Sequence, residues 1–335
     1  MMEVVYGRCC GLDIHKASVT ACVIVNGKKD VRKFGAMTDD LLQLAAFLKE
    51  RCVQMTAMES TGSFWKPIFN ILEVEGVDAM PVNAAHIKSV PGGRTDVKDS
   101  EWMADLLRHG LPKASFVKPR DQRELCEPIR YRGSLIEERA RECNRMGKVL
   151  EGANIKLTSV ASRMDTVSGM AMVRALSRGE VSPEALASMA RGSMRSKTEE
   201  LTRALKGLVR PHQQMILKAM PSHIDQPSDL IDTLDKEIEG RMDGDVELVE
   251  ALDEITGVGK ISAQTIIAEI GTDMDRFPSA NHLASWACMC PGNNESAGKK
   301  KSGKTKKANS TLKKTLVQCG RAAGFHRRRI GICLV

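Results

Sequence analysis

The sequence predicts an α/β domain at the N-terminus followed by a long, mostly helical remainder. Three observations predict it. The chain opens with β-rich runs, two of them joined by Asn26-Gly27, and helical and extended patterns then alternate to about residue 115. Beyond about residue 120 the apolar residues recur at helical spacing. Aromatic residues make up only 4% of the 335 residues, which argues against a sandwich or barrel of short aromatic strands.

Composition bounds the function classes. The chain is 42% hydrophobic and 27% charged, ordinary for a folded soluble protein and unlike a disordered one. The start, MMEVVYGRCCGLD, lacks the charged-then-apolar pattern of a signal peptide. No apolar run reaches the ~18 residues of a membrane helix. The ten cysteines include no CxxC pair, so with no export signal they read as reduced cytosolic thiols. Cys288 and Cys290 lack further ligands for a zinc site.

The first region, residues 1–115, holds two strand patterns, VVYGRCCGLDI and SVTACVIVNG, and a third, DVRKFGA, after the Asn-Gly turn. TDDLLQLAAFLKERC reads as a helix with Thr38 as its N-cap and acids in its first turn. QMTAMES is a strand, FWKPIFNILEVEG a helix, DAMPVN a strand, and DSEWMADLLRHG a helix stopped by Gly110. Three meandering strands and then helix, strand, helix, strand, helix is an order that suits the ribonuclease-H-like fold.

Residues 116–247 read as almost wholly helical. Ile136, Ala140, Cys143 and Leu150 fall on one heptad stripe, and Leu201, Leu205, Leu208, Met215 and Ala219 on another. Such stripes predict long helices packed as an intramolecular bundle or an oligomerising coiled coil. Pro128, Pro183, Pro211, Pro221 and Pro227 cut the region into segments. Residues 248–335 form a short helical region with a basic tail. ITGVGKISAQTIIAEIG reads either as an ordinary glycine turn between helices or as a helix-hairpin-helix. In the second reading Gly257, Gly259 and Lys260 present backbone amides and a cation to a phosphate.

Charge favours the second reading. The formal net charge is +8, yet from Ser296 onward there are twelve Lys and Arg and no acid, so the rest of the chain is net negative. Lys299, Lys300, Lys301, Lys304, Lys306, Lys307 and Asn309 form the densest part of a nucleic-acid-binding surface.

Four carboxylates occupy positions that matter in a ribonuclease-H-like sheet. Asp13 ends the first strand and Glu59 the fourth, while Asp96 and Asp99 open the last helix of the region, three apart and facing the same way. Singly, each reads as a turn or cap residue. Jointly they would repel one another in a low-dielectric cleft, and divalent cations relieve that repulsion. Two Mg²⁺ on oxygen ligands support phosphoryl transfer. Ser296, in a loop of glycine and lysine, reads on the residues alone as a phosphate contact, because a serine hydroxyl is a weak nucleophile without a base or metal.

GLDIHK, AMESTGSFW, RTDVKDSEWMADLL and CPGNNESAGKKKSGKTKKANSTLKKTL resemble the bridge-RNA-guided transposases of bacterial insertion sequences. These are the DEDD-type recombinases of the insertion-sequence 110 family, related to the pilin-gene invertase. The resemblance implies a RuvC-like domain over 1–115, a helical coiled-coil region over 116–247, and a small C-terminal transposase domain over 248–335. It places the family's four acids on Asp13, Glu59, Asp96 and Asp99, and its nucleophilic serine on Ser296. It implies Mg²⁺ as cofactor, donor and target DNA and a noncoding guide RNA as partners, a homo-dimer or homo-tetramer, and a bacterial cytoplasmic, nucleoid-associated location. The implied reaction is strand cleavage and exchange through a transient serine–DNA link. Two departures stand out. The chain stops at Val335 where many relatives continue, which reads as a truncated copy, and Ala308 replaces a frequent glycine before the retained Asn309. The competing readings are a RuvC-like junction nuclease using metal-activated water, and an inactive remnant that only binds nucleic acid.

Overall fold

A computed structural model of the chain describes residues 3–60, 62–82, 96–161, 163–180, 182–290, 294–296, 299–302 and 309–329. The chain divides into two compact units, Met1–Val117 and Lys118–Val335.

The first unit is a mixed sheet with helices on it, consistent with a RuvC-like arrangement. Its strands are β1 (Arg8–Ile14), β2 (Ser18–Val25), β3 (Lys28–Gly35), β4 (Met55–Glu59) and β5 (Ala79–Val82). They lie in the order β3-β2-β1-β4-β5. β1, β2 and β3 pair antiparallel, and β4 and β5 join parallel. Asn26 (φ 49°) and Gly27 (φ 85°) take the two left-handed positions that the β2–β3 hairpin demands, as Asn-Gly foretold.

The helices are α1 (Thr38–Glu50), α2 (Trp65–Val74) and α3 (Asp96–Arg108). α1 begins one residue earlier than its sequence suggested. Met37, not Thr38, is the cap residue, and its amide donates to Asp40 Oδ2 at 3.3 Å. Gly110 follows α3 at φ 66°, the left-handed conformation that ends helices.

Strand alternation divides the core in two. Cys10 and Leu12 pack with Leu44, Leu48 and Leu72 under α1 and α2. Cys9, Cys22, Ile24 and Ala57 pack with Met103, Ala104 and Leu107 of α3. Each fully buried aliphatic side chain contributes roughly 1.5–3 kcal/mol.

The second unit is mostly helical. Its spine is α4 (Arg120–Gly152), one helix of 33 residues that runs through Pro128 without interruption. Proline in a helix interior costs about 3 kcal/mol. Leu125, Cys126 and Ile129 flank it and are buried against Ile238, Met242, Ala263 and Ile267, which offsets that cost.

α5 (Leu157–Val160), α6 (Val167–Ser177), α7 (Pro183–Ala187), α8 (Thr198–Ala204) and α9 (Pro211–Ala219) follow. Then come α10 (Ser222–Arg241), α11 (Val246–Asp253), α12 (Lys260–Ile270) and α13 (Ala280–Trp286). The hairpin β6 (Asn294–Ser296) and β7 (Lys299–Ser302) leads to α14 (Ser310–Arg329).

Pro183 and Pro211 open helices, where a missing N–H is harmless, whereas Pro227 lies inside α10. The first heptad stripe lies on α4. The second is not one helix, because it crosses the break between Ala204 and Pro211. Leu201 and Leu205 are buried, but Leu208 and Met215 are exposed.

Candidate active site and nucleic-acid interface

Gly11 decides how closely α3 approaches β1. A Cβ there would lie 2.3 Å from Ser100 O and 2.4 Å from Ala104 N, so only glycine lets α3 lie this close to β1. α3 runs antiparallel to the strand. Val5 N donates to Arg108 O at 2.9 Å, Cys9 Sγ reaches Ala104 O at 3.5 Å, and Gly11 faces Ser100. Continuing that progression brings the first turn of α3, with Asp96 and Asp99, to the level of Asp13.

Asp13 shares the α3-facing side of β1 with Cys9 and Gly11 by strand alternation. Glu59 ends β4, directly after the Leu12–Met58 pair, and shares the side of Ala57, which also packs under α3. Asp13 and Glu59 are therefore same-side residues at adjacent strand ends. The Asp13 carboxylate is 15% exposed and lies 3.0 Å from Nε2 of the half-exposed His15. Asp99 is exposed, while Ser100 beside it is fully buried. Asp96 is the first residue of α3, and its side chain lies outside the described residues. Asp105 is taken up elsewhere, pairing with Lys29 at 2.8 Å.

Carboxylate oxygens are hard donors and suit Mg²⁺ or Mn²⁺ rather than zinc. Asp13, Glu59 and Asp99 supply donors of that class. Among the described residues no group of three acidic, His or Cys side chains is gathered tightly enough to hold an ion. The nine described cysteines are all free, so no disulfide occurs among them.

The C-terminal residues fall in three groups. Ser296 ends β6 and pairs across the hairpin with Lys299, while Lys300 pairs with Glu295. Lys301 lies in β7. The side chains of Ser296, Lys299, Lys300 and Lys301 lie outside the described residues, as do Lys304, Lys306 and Lys307 entirely.

The glycine turn before α12 is asymmetric. At Gly257 (φ 92°) a Cβ would lie 2.6 Å from Cys319 O and 2.7 Å from Ala323 N, so this glycine seats α14. Gly259 has open space around it and is the cap residue of α12. Lys260 Nζ meets Glu239 Oε1 at 2.6 Å, both side chains being about half exposed.

Asn309 caps α14, its Oδ1 accepting from Leu312 N at 3.1 Å, and its Nδ2 donates to Glu269 Oε2 at 2.6 Å. Glu269, which sequence reading missed, is fully buried on α12. Lys118 Nζ donates to it at 2.6 Å, and Arg130 forks onto both oxygens at 2.7 and 2.8 Å. Burial alone would raise this carboxyl, but the hydrogen bonds from Arg130 and then Lys118 prevail and lower it to about 2. Its partners lie 151, 139 and 40 positions away, so only a buried-acid signal inside QTIIAEIG could have pointed to it.

Two family models match the chain. One, described as a transposase of the DEDD IS110 type, covers residues 10–155. The other, described as the transposase IS116/IS110/IS902 family, covers residues 249–331. Asp13, Glu59, Asp96 and Asp99 fall in the first match, and Gly257, Glu269, Ser296 and Asn309 in the second. No curated protein matches the chain.

Proposed function

The chain belongs to the IS110-family transposases, enzymes that cleave and recombine DNA, and from that premise we propose that it cuts and exchanges strands through a serine–DNA link with Mg²⁺ at the acidic end of the sheet. The observation that supports the reading is the close approach of α3 to β1 over Gly11, which in this proposal sets Asp96 and Asp99 near Asp13 and Glu59. In the proposal those four carboxylates hold the cation. When bound, it supplies charge stabilisation to a phosphate in substitution.

Ser296 Oγ forms the new bond to phosphorus and gives up its proton. The bond from phosphorus to the departing strand oxygen breaks, and that oxygen takes up a proton. Lys299, Lys300 and Lys301 offset the charge that builds on the phosphoryl oxygens. Gly259, Lys260, Lys304, Lys306, Lys307 and Asn309 complete the phosphate-contacting set. Gly257, closed by α14, serves that set only by shaping the helix-hairpin-helix turn.

In the same reading a noncoding guide RNA selects donor and target DNA by pairing, so the protein grips backbone. α4 and α10 would form the coiled-coil region of a homo-dimer or homo-tetramer. The domains would be 1–115, 116–247 and 248–335. Among the described residues no helix is long and apolar enough to cross a membrane.

The test is a denaturing gel of labelled element-end DNA incubated with the protein, its flanking noncoding RNA and Mg²⁺. A protein–DNA band lost in both Ser296→Ala and Asp13→Asn is the expected result. DNA cut to free ends by Ser296→Ala would replace the reading with a metal nuclease. Intact DNA in the presence of bound RNA would leave a remnant that only binds.

A further inference from the structure

The two family matches stop at residue 155 and resume at residue 249. Between them, α5 to α9 pack around Leu157, Met172, Leu186, Leu201 and Leu217, in a core that also takes in Met146 and Leu150 of α4 and Ile224 of α10. Residues 155–220 carry eleven Lys and Arg against five Asp and Glu, a net charge of +6. With twelve cations and no acid after residue 295, this insert and the tail are the two positive regions of a chain that is otherwise acidic.

Ion pairs do not absorb that charge. Among the described residues, only Lys156, Arg163 and Arg174 of the eleven meet a carboxylate, on Glu151, Asp165 and Asp225. The other eight are exposed.

Three of those eight, Arg203, Lys206 and Arg210, lie along the segment that leads from α8 into α9. That segment is fixed against the end of α4. Lys156 N donates to Ala204 O at 2.7 Å and Leu208 N to Ala153 O at 3.0 Å. Gly207 leaves no room for a side chain, since a Cβ would lie 2.5 Å from Ala153 O. A shallow cavity of about 630 Å³ opens here. Its polar lining is Asn154, Arg210, His212 and Gln213, and no acidic side chain lines it. A site without acids repels cations least of all by neglect: it has nothing to hold one. What it offers is the Arg210 guanidinium beside exposed backbone, with Arg203 and Lys206 on the same segment, and that combination matches a phosphodiester chain.

We propose that the groove between the end of α4 and the start of α9 is a contact for the phosphate backbone of a polynucleotide, additional to the C-terminal tail. It uses the transposase reading only to choose among polyanions, and it is independent of Ser296 and the acidic site.

The experiment uses the full chain and measures binding of a 30-bp duplex DNA and a 30-nucleotide single-stranded RNA across a salt series. Arg203→Gln/Lys206→Gln/Arg210→Gln is compared with Arg191→Gln/Arg195→Gln/Lys197→Gln, which removes equal charge from the same insert. The groove triple is expected to flatten the slope of log K against log salt by about 2–3 for duplex, or by about 2 for single strands, on the counterion-release scale. The comparison triple should change it by less than about 1 on that scale. A flattened slope with DNA alone assigns the groove to DNA, and with RNA alone to RNA. Equal effects of both triples would mean general charge rather than a groove, and no effect of the groove triple would also overturn the proposal. An unchanged unfolding midpoint certifies that the substituted chains are folded. A wild-type chain that binds neither polymer would sink the transposase reading itself.

Discussion

Asp13 and Glu269 are both carboxylates on regular elements, yet the chain treats them in opposite ways. Glu269 is fully buried and receives Lys118, Arg130 and Asn309 within 2.6–2.8 Å, so its charge is answered from inside the protein. Asp13 is 15% exposed at a strand end, on the side of Glu59 and level with the first turn of α3. The ring of His15 lies 3.0 Å from it. A carboxylate saturated by its own chain holds helices together. A carboxylate at a partly exposed strand end is one that a cation from outside can reach. In the proposed reading, that difference separates a structural acid from a metal-binding one.

The largest expected effect comes from breaking the saturated site. Glu269→Ala leaves two cationic groups facing a cavity and should lower stability by about 3–5 kcal/mol in denaturant unfolding. Its pH signature sharpens the point. The folded carboxyl is depressed to about 2, so its contribution is complete above the ordinary value near 4.5 and disappears as pH falls toward 2. That contribution is on the order of 3 kcal/mol. The stability gap between wild type and Glu269→Gln should therefore shrink between those pH values and stay flat at neutrality.

Next is Gly11→Ala. Its Cβ meets backbone atoms of α3, which cannot swing aside, and the overpacking should cost about 1–3 kcal/mol or more. Because it also lifts the turn bearing Asp96 and Asp99, DNA cleavage should fall further than stability does. A parallel assay of both checks this.

Asp13→Asn should barely change stability without metal, since it removes like-charge repulsion along with the His15 contact. Unfolding in EDTA is the measurement, and a loss as large as that of Glu269→Ala would erase the contrast. The smallest effect is Lys260→Ala, which breaks an exposed pair with Glu239 and should leave the unfolding midpoint unchanged.

Local signals carried much of the fold. Asn26-Gly27 fixed the β2–β3 hairpin, and short apolar runs such as the β-branched-rich SVTACVIV, together with MTAME, marked the strands of the sheet. The placement of Asp13 and Glu59 at strand ends followed from those runs. Gly11 gave a weaker signal. A glycine inside a strand hints at a close backbone approach, but nothing local says that α3 is what approaches. The stripe from Leu201 to Ala219 misled because heptad spacing continued across residues 205–210, where the chain turns along the end of α4. Glu269 was illegible for a different reason. Its meaning lies in partners at 118, 130 and 309, and a buried acid between isoleucines looks like a polar interruption until those partners arrive. Asn309, proposed as a phosphate contact, also caps α14 and donates to Glu269, a role that its sequence did not signal.

The central claim is that the acids at the end of the sheet hold a divalent cation that the chain itself does not replace. Mn²⁺ binding followed by electron paramagnetic resonance, on wild type, Asp13→Asn and Glu269→Gln, tests it most directly. The account predicts saturable Mn²⁺ binding in wild type, competed by Mg²⁺, abolished or weakened at least tenfold in Asp13→Asn and retained in Glu269→Gln. Equal binding in wild type and Asp13→Asn, or none in either, would contradict it.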